Sequence, residues 1–200
     1  VLPEGVAFII SDILADNNAR TMAFGGASSL KIPNQIVSVK TGTTNDYRDN
    51  WTIGYTPDFV MAVWVGNNDN TPMNNLVSGV TGAAPIWNEI MSHLLKDKSP
   101  HPIPRPPSVI QKKVCAISGL LPSLGCETRF EYFIKGTEPK KVDPGVQKIR
   151  IDKATNDLAD PKKTDNVEER DGIMVTDATG QNYCVTCPHA YPSPAGKPTP

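Results

Sequence analysis

The sequence is short of several things, and each shortage removes a class of explanation. Its net charge is −1 and its pI near 6.3, which gives no argument for nucleic acid or for an acidic surface. It has no long hydrophobic run. The longest, residues 59–65 and 6–10, fall far short of the ~20 residues of a membrane-spanning helix, and neither has the layout of a signal peptide. Aromatic residues make up 6% and apolar residues 38%, enough for a core over part of the chain. A length of 200 residues fits one domain, or an incomplete domain with a small one attached. The start at Val1, running almost at once into a helical pattern, reads as a piece of a longer protein. Proline is the excess, with 19 residues, about twice ordinary usage, and its clusters mark linkers.

Val6, Ile9, Ile10, Ile13 and Leu14 recur at helical spacing and predict a helix that buries them, with Pro3-Glu4 in its first turn and Asn17-Asn18 at its end. Gly25 to Ser29 is a loop. Residues 36–43 are β-branched and predict a strand, 44–46 a turn, and 50–55 a second strand in which Trp51, Ile53 and Tyr55 alternate. A third strand, 59–65, is apolar on both faces and is expected at the centre of a sheet or under helices. After a loop at 66–72, Ile86, Trp87, Ile90, Met91, Leu94 and Leu95 form one apolar stripe behind Pro85, a helix start. Short connections favour antiparallel hairpins. The expected fold class is therefore α/β in the α+β sense: over 1–98, a mainly antiparallel sheet flanked by helices. Residues 99–107, Ser-Pro-His-Pro-Ile-Pro-Arg-Pro-Pro, form a polyproline-type spacer within a linker at 99–113. A small Cys-containing, loop- or β-rich module is expected at 114–158. Residues 141–171 hold seven basic and eight acidic side chains, which suggests a solvated surface with one weak hairpin at 149–158. A mostly flexible tail is expected at 159–200.

The chemistry concentrates at Lys40-Thr41-Gly42-Thr43, placed on the first strand. Lys40 offers a positive charge to a carboxylate or a neighbouring hydroxyl, and Thr41 and Thr43 offer hydroxyls to the same anion. Gly42 lets a substrate backbone lie close to the strand. A strand-edge N–H can face an acyl oxygen and stabilise the charge that develops there. The bland alternative is a surface strand with a solvated lysine, and three residues alone do not decide between them.

The surroundings decide more. Lys40-Thr-Gly-Thr-Thr-Asn45, Arg48-Asp-Asn-Trp51, Ile53-Gly-Tyr-Thr-Pro57, Val63-Trp-Val-Gly-Asn67 and Gly82-Ala-Ala-Pro-Ile-Trp87 follow one another in order. This succession resembles the C-terminal half of the transpeptidase domain of bifunctional, class A penicillin-binding proteins. The segment with Asn18-Ala-Arg20 and Phe24-Gly25 is similar to what precedes the strand in that family. Residues 114–140 resemble the small region that follows the domain. The resemblance implies a peptidoglycan D,D-transpeptidase. A serine attacks the D-Ala-D-Ala bond of a stem peptide, D-Ala leaves, and the acyl group passes to an amine of a second stem peptide. By motif match Lys40 and Thr43 are the catalytic positions, Lys40 in the hydrogen-bonding network of the nucleophile and the Thr43 N–H in the oxyanion hole. Thr41, Gly42 and Thr43 bind substrate, with the two threonines on its terminal carboxylate. No cofactor or metal is implied. The implied partners are D-Ala-D-Ala stem peptides, β-lactams and other cell-wall synthesis proteins. The implied location is the extracytoplasmic face of the bacterial membrane, reached through an N-terminal anchor outside this sequence.

Two departures stand out. The family also needs an upstream Ser-x-x-Lys and a Ser-x-Asn, and no Ser-x-Asn precedes Lys40. Ser28-Ser-Leu-Lys31 matches the first literally, but it lies in a Gly-rich loop close to Lys40 and is rejected as nucleophile. Val39 stands where members carry a small residue. Two rivals are a D,D-carboxypeptidase or β-lactamase-type hydrolase, and a non-catalytic cell-wall peptide-binding module. Trp51, Trp64 and Trp87 read as core residues, Arg48-Asp49 as a local ion pair, and 67–70 as a turn. For the cysteines, zinc bound by Cys115, Cys126, Cys184 and Cys187 with His189 nearby competes with disulfides. An extracytoplasmic family favours the latter, with Cys115–Cys126 as the candidate bridge. The pairing of Cys184 with Cys187 stays open.

Overall fold

The computed structural model describes residues 2–73, 81–177 and 179–188. Two compact units divide the chain, Val1–Val109 and Ile110–Pro200. Among the described residues no helix is long and apolar enough to cross a membrane.

The first unit is built on an antiparallel sheet of β1 (Ser38–Thr43), β2 (Asp49–Tyr55) and β3 (Val60–Gly66), in that spatial order. Tight connections put β2 in the middle, so β3 is an edge strand among the described residues, and its apolar run meets the second of the two expectations, cover by a helix, Ala83–Leu95, over one face. Val60 is 75% exposed. The register pairs Lys40 with Ile53 and Gly42 with Trp51, and then Ile53 with Ala62 and Trp51 with Trp64. Directly paired residues share a face. One face thus carries Lys40, Gly42, Trp51, Ile53, Ala62 and Trp64, all exposed. The other carries Val39, Thr52, Gly54 and Val63, all buried.

Helix α3 (Ala83–Leu95) covers that second face. Trp87 and Met91 are fully buried in it, and Leu95 nearly so. Gly54 is required there, because a Cβ would stand 2.3 Å from Trp87 Cζ2. Only one side of the α3 stripe is used, and Ile86 and Ile90 remain exposed. Trp51 and Trp64, expected in the core, are each 41% exposed; only Trp87 of the three tryptophans packs inside.

Helix α1 (Glu4–Ala15) also departs from its apolar periodicity. It buries Gly5, Phe8 and Ser11 while Ile10 and Ile13 stay exposed. Polar pairing sets this rotation. Ser11 Oγ lies 2.7 Å from Tyr55 Oη, and Ser38 Oγ donates to the Ser11 carbonyl at 2.7 Å. Asn17-Asn18 does not end this helix but begins another, α2 (Asn17–Phe24). Asp16 Oδ1 caps it by accepting from the Asn18 and Ala19 N–H groups.

The second unit contains a two-stranded sheet, β4 (Val109–Cys115) with β5 (Thr128–Ile134), and a three-stranded sheet, β6 (Val146–Asp152), β7 (Val167–Thr176) and β8 (Asn182–Cys184). The expected 149–158 hairpin reduces to a bridge between Ile151 and Leu158; β6 pairs along its length with β7 instead. β7 and β8 correct the expectation of a flexible tail from 159. Their polar composition hides strands held by backbone pairing and by a small cluster of Ile149, Ile151 and Cys184. The rest of that tail, 189–200 with His189, lies outside the described residues. Disulfides join Cys115 to Cys126 and Cys184 to Cys187.

Candidate functional site

The Lys-Thr-Gly-Thr run forms the outer strand of its sheet, for β1 pairs only with β2 among the described residues. Strand alternation sends Lys40 and Gly42 to the open face, and Val39, Thr41 and Thr43 to the opposite side. The lysine and the threonines therefore do not converge on one face. A ligand can meet both only by lying along the outer edge of β1, which pairs with no other strand among the described residues. Beside that edge a cavity of about 290 Å³ is lined by Val39, Lys40 and Thr41 together with Ile13, Leu14, Arg20 and others from α1, α2 and the following loop. Val39 is 4% exposed and anchors β1 in the core. Lys40 is exposed, and its ammonium donates to the Thr41 carbonyl.

Arg20 ties α2 down next to this cavity. Its guanidinium donates to the carbonyls of Asp16, Leu30 and Leu14. Burial pulls its pKa below the usual arginine value, against the opposing pull of Asp16.

One site residue is missed by sequence reasoning. Asn50 is fully buried on β2. Its Nδ2 donates to Thr43 Oγ1 at 3.3 Å, and its Oδ1 accepts the Ala83 N–H at 2.8 Å. One amide thus links the end of the Lys-Thr-Gly-Thr strand to the first turn of α3. The only sequence signal is a polar residue at an inward strand position.

Arg48 and Asp49 do not pair with each other. Arg48 sits 3.8 Å from Asp46, in an exposed pair, and donates to the Asn70 carbonyl. Asp49 accepts from the Trp64 indole N–H at 2.9 Å and from Thr44 Oγ1 at 3.1 Å. Residues 67–70 form a turn closed by the Asn70 N–H on the Asn67 carbonyl. Ser28 lies in a turn, where its hydroxyl accepts the Leu30 N–H at 3.2 Å. It does not open a helix, as the nucleophile of a Ser-x-x-Lys motif should.

Residues 105–148 match the family model "Penicillin-binding protein 1A, C-terminal domain". The chain is 31% identical over 144 residues to penicillin-binding protein 1A of Pseudomonas aeruginosa, covering 72% of this chain and 17% of that protein. It is 34% identical over 149 residues to the Clostridium tetani protein of the same name, covering 71% and 18%. A crystal structure of penicillin-binding protein 1A from Haemophilus influenzae superposes with a TM-score of 0.60 at 31% identity, covering 71% of this chain and 22% of that one. The chain's mixed helix and antiparallel sheet make this a penicillin-binding-protein type of fold. The chain belongs to the penicillin-binding protein 1A family. It spans about a fifth of the length of these relatives.

Proposed function

We propose that this chain supplies the Lys-Thr-Gly wall of a peptidoglycan D,D-transpeptidase. The observation that carries the reading is the outer edge of β1, with Lys40, Thr41 and a cavity beside it, in a chain of this family. An extended D-Ala-D-Ala stem peptide laid along that edge gains backbone hydrogen bonds as an added strand would. Thr41 and Thr43 hold its terminal carboxylate through hydroxyl donors, and Gly42 leaves room for its backbone. The Thr43 N–H stabilises the negative charge that forms on the scissile carbonyl oxygen. Lys40 acts in the hydrogen-bonding network of the nucleophile, keeping its proton movements within the site.

In the reaction the serine oxygen adds to the penultimate D-Ala carbonyl, the C–N bond breaks and the terminal D-Ala leaves as an amine. The amine of a second stem peptide then attacks the ester and regenerates the serine. No serine in this chain is assigned the nucleophile. β-Lactams acylate the same serine by opening their ring. Cell-wall synthesis proteins are the partners, and the site works on the extracytoplasmic face of the membrane. The test is to label the product of the complete reading frame with a fluorescent penicillin and to map the labelled peptide. A label on a Ser-x-x-Lys serine outside these 200 residues supports the reading. A folded protein that takes no label, or one labelled at Ser28, contradicts it.

A further inference from the structure

The second unit contains a cavity of about 560 Å³ that the proposed transpeptidase reaction does not use. That volume lies within the range of small-molecule sites. Its walls are largely apolar, with Ile117, Leu124, Val146 and Ile173 among them, and the charged residues lining it are Glu127 and Asp143. No lysine, arginine or histidine is among the described residues that line it. Leu124 stands wholly in solvent and Val146 is 65% exposed, so the apolar rim is accessible.

Asp143 is the unusual member. It is only 5% exposed. Its Oδ1 accepts the Gly145 N–H at 2.6 Å and Ser123 Oγ at 3.3 Å. Its Oδ2 is buried without a hydrogen-bond partner. The Ser118 hydroxyl lies near enough to be the first cause of a carboxyl pKa below the ordinary value, with Gly145 and Ser123 adding to it against the cost of burial. The carboxyl is thus held toward its charged form, and Oδ2 is buried with no hydrogen-bond partner among the described residues, an arrangement that a cationic donor would relieve.

We infer that this cavity binds a primary ammonium group carried on an aliphatic stem, the ammonium meeting Asp143 and the stem lying against Leu124, Ile117 and Val146. An anion is repelled by the two carboxylates, and a neutral apolar group leaves Asp143 as it is. The inference does not depend on the transpeptidase reading. The ammonium can come from a free alkylamine or from a diamino-acid side chain on a peptide.

The test is a titration of the isotope-labelled chain with n-butylammonium chloride, followed through the backbone amides of Ser118, Ser123 and Gly145. The expected result is saturable shifts with a millimolar dissociation constant. Asp143→Asn should weaken binding about tenfold, and Leu124→Ser, at an exposed position that leaves the fold intact, should weaken it severalfold. A parallel titration with Nα-acetyl-lysine methylamide separates the sources. Tighter binding than butylammonium assigns the site to a peptide-borne side chain, and equal binding to free amines. The inference is overturned if 1-butanol gives the same shifts, if no shift saturates, or if Leu124→Ser and Glu127→Gln both bind as the unaltered chain does. The last comparison holds even if Asp143→Asn fails to fold.

Discussion

The two units are held together by different means. In the first, a helix lies on a sheet, and Trp87, Met91, Val39, Val63 and Leu95 form one closed cluster. In the second, the corresponding cluster is Ile149, Ile151 and Cys184, with Met174 and Cys187 against it. Two disulfides and side-chain-closed turns make up the deficit. Both place a large side chain on a glycine, Trp87 over Gly54 and Ile149 over Gly172, but only the first is part of an extensive core. A core of that size fixes the edge strand β1 through Val39. The second unit lacks such a core and relies on covalent closure, as small modules do.

The comparison breaks most visibly at Trp87. Trp87→Ala should destabilise the first unit by about 3–5 kcal/mol, while amide exchange in β6 and β7 stays unchanged. All three tryptophans lie in the first unit, so tryptophan fluorescence in a denaturant titration reads that unit alone. A loss shared equally by both units would show that they are not independent.

Reduction should do the reverse. All four cysteines lie in the second unit. The Cys115–Cys126 bridge closes a separation of 11 residues, and opening a loop of that size costs about 2–3 kcal/mol. With dithiothreitol, amide protection in the second unit should fall and the tryptophan-monitored transition should not move.

Asn50→Ala sharpens the account of the first unit. It removes the acceptor of the Ala83 N–H and the donor to Thr43, at a cost of about 1–3 kcal/mol. Amide shifts should reach Ala83 as well as Thr43, the partner of Asn50 across the ladder; a defect confined to that ladder would leave Ala83 unmoved.

The smallest effect is in acid. Asp177 is held at a pKa of about 2 by the Thr179 and Tyr183 hydroxyls and the Gln181 N–H. A depressed carboxyl pKa gives stability that is present above the unfolded value of about 3.9 and is lost as pH falls through about 2. The turn before β8 should therefore loosen between those values, as seen in the Tyr183 and Gln181 resonances. Asp177→Asn should remove that step.

Much of the first unit is legible in the sequence because its signals are local. β-Branched runs with short connections give the antiparallel sheet, and Lys40-Thr-Gly-Thr lies on β1 where the pattern places it. The order of strands is not local, and the apolar run that became β3 says only that its residues can be covered, not where it sits. Helix α2 was hidden because Asp16, a side-chain cap, starts it without any apolar stripe. The rotation of α1 was hidden because Ser11 and Ser38, not isoleucines, make its contact. Asn50 joins two segments 33 residues apart, which no window along the chain can see. β7 was hidden because Glu168, Glu169, Arg170 and Asp171 resemble a solvated linker, although backbone pairing with β6 needs no apolar side chain.

The most direct measurement is the rate at which a fluorescent penicillin acylates the product of the complete reading frame, with and without Lys40→Ala. Lys40 is exposed and outside the core, so the variant should keep its melting temperature. If Lys40 belongs to the nucleophile's network, acylation should slow by about 100-fold or more. Acylation at the unaltered rate in a folded Lys40→Ala protein would contradict the role given to this strand.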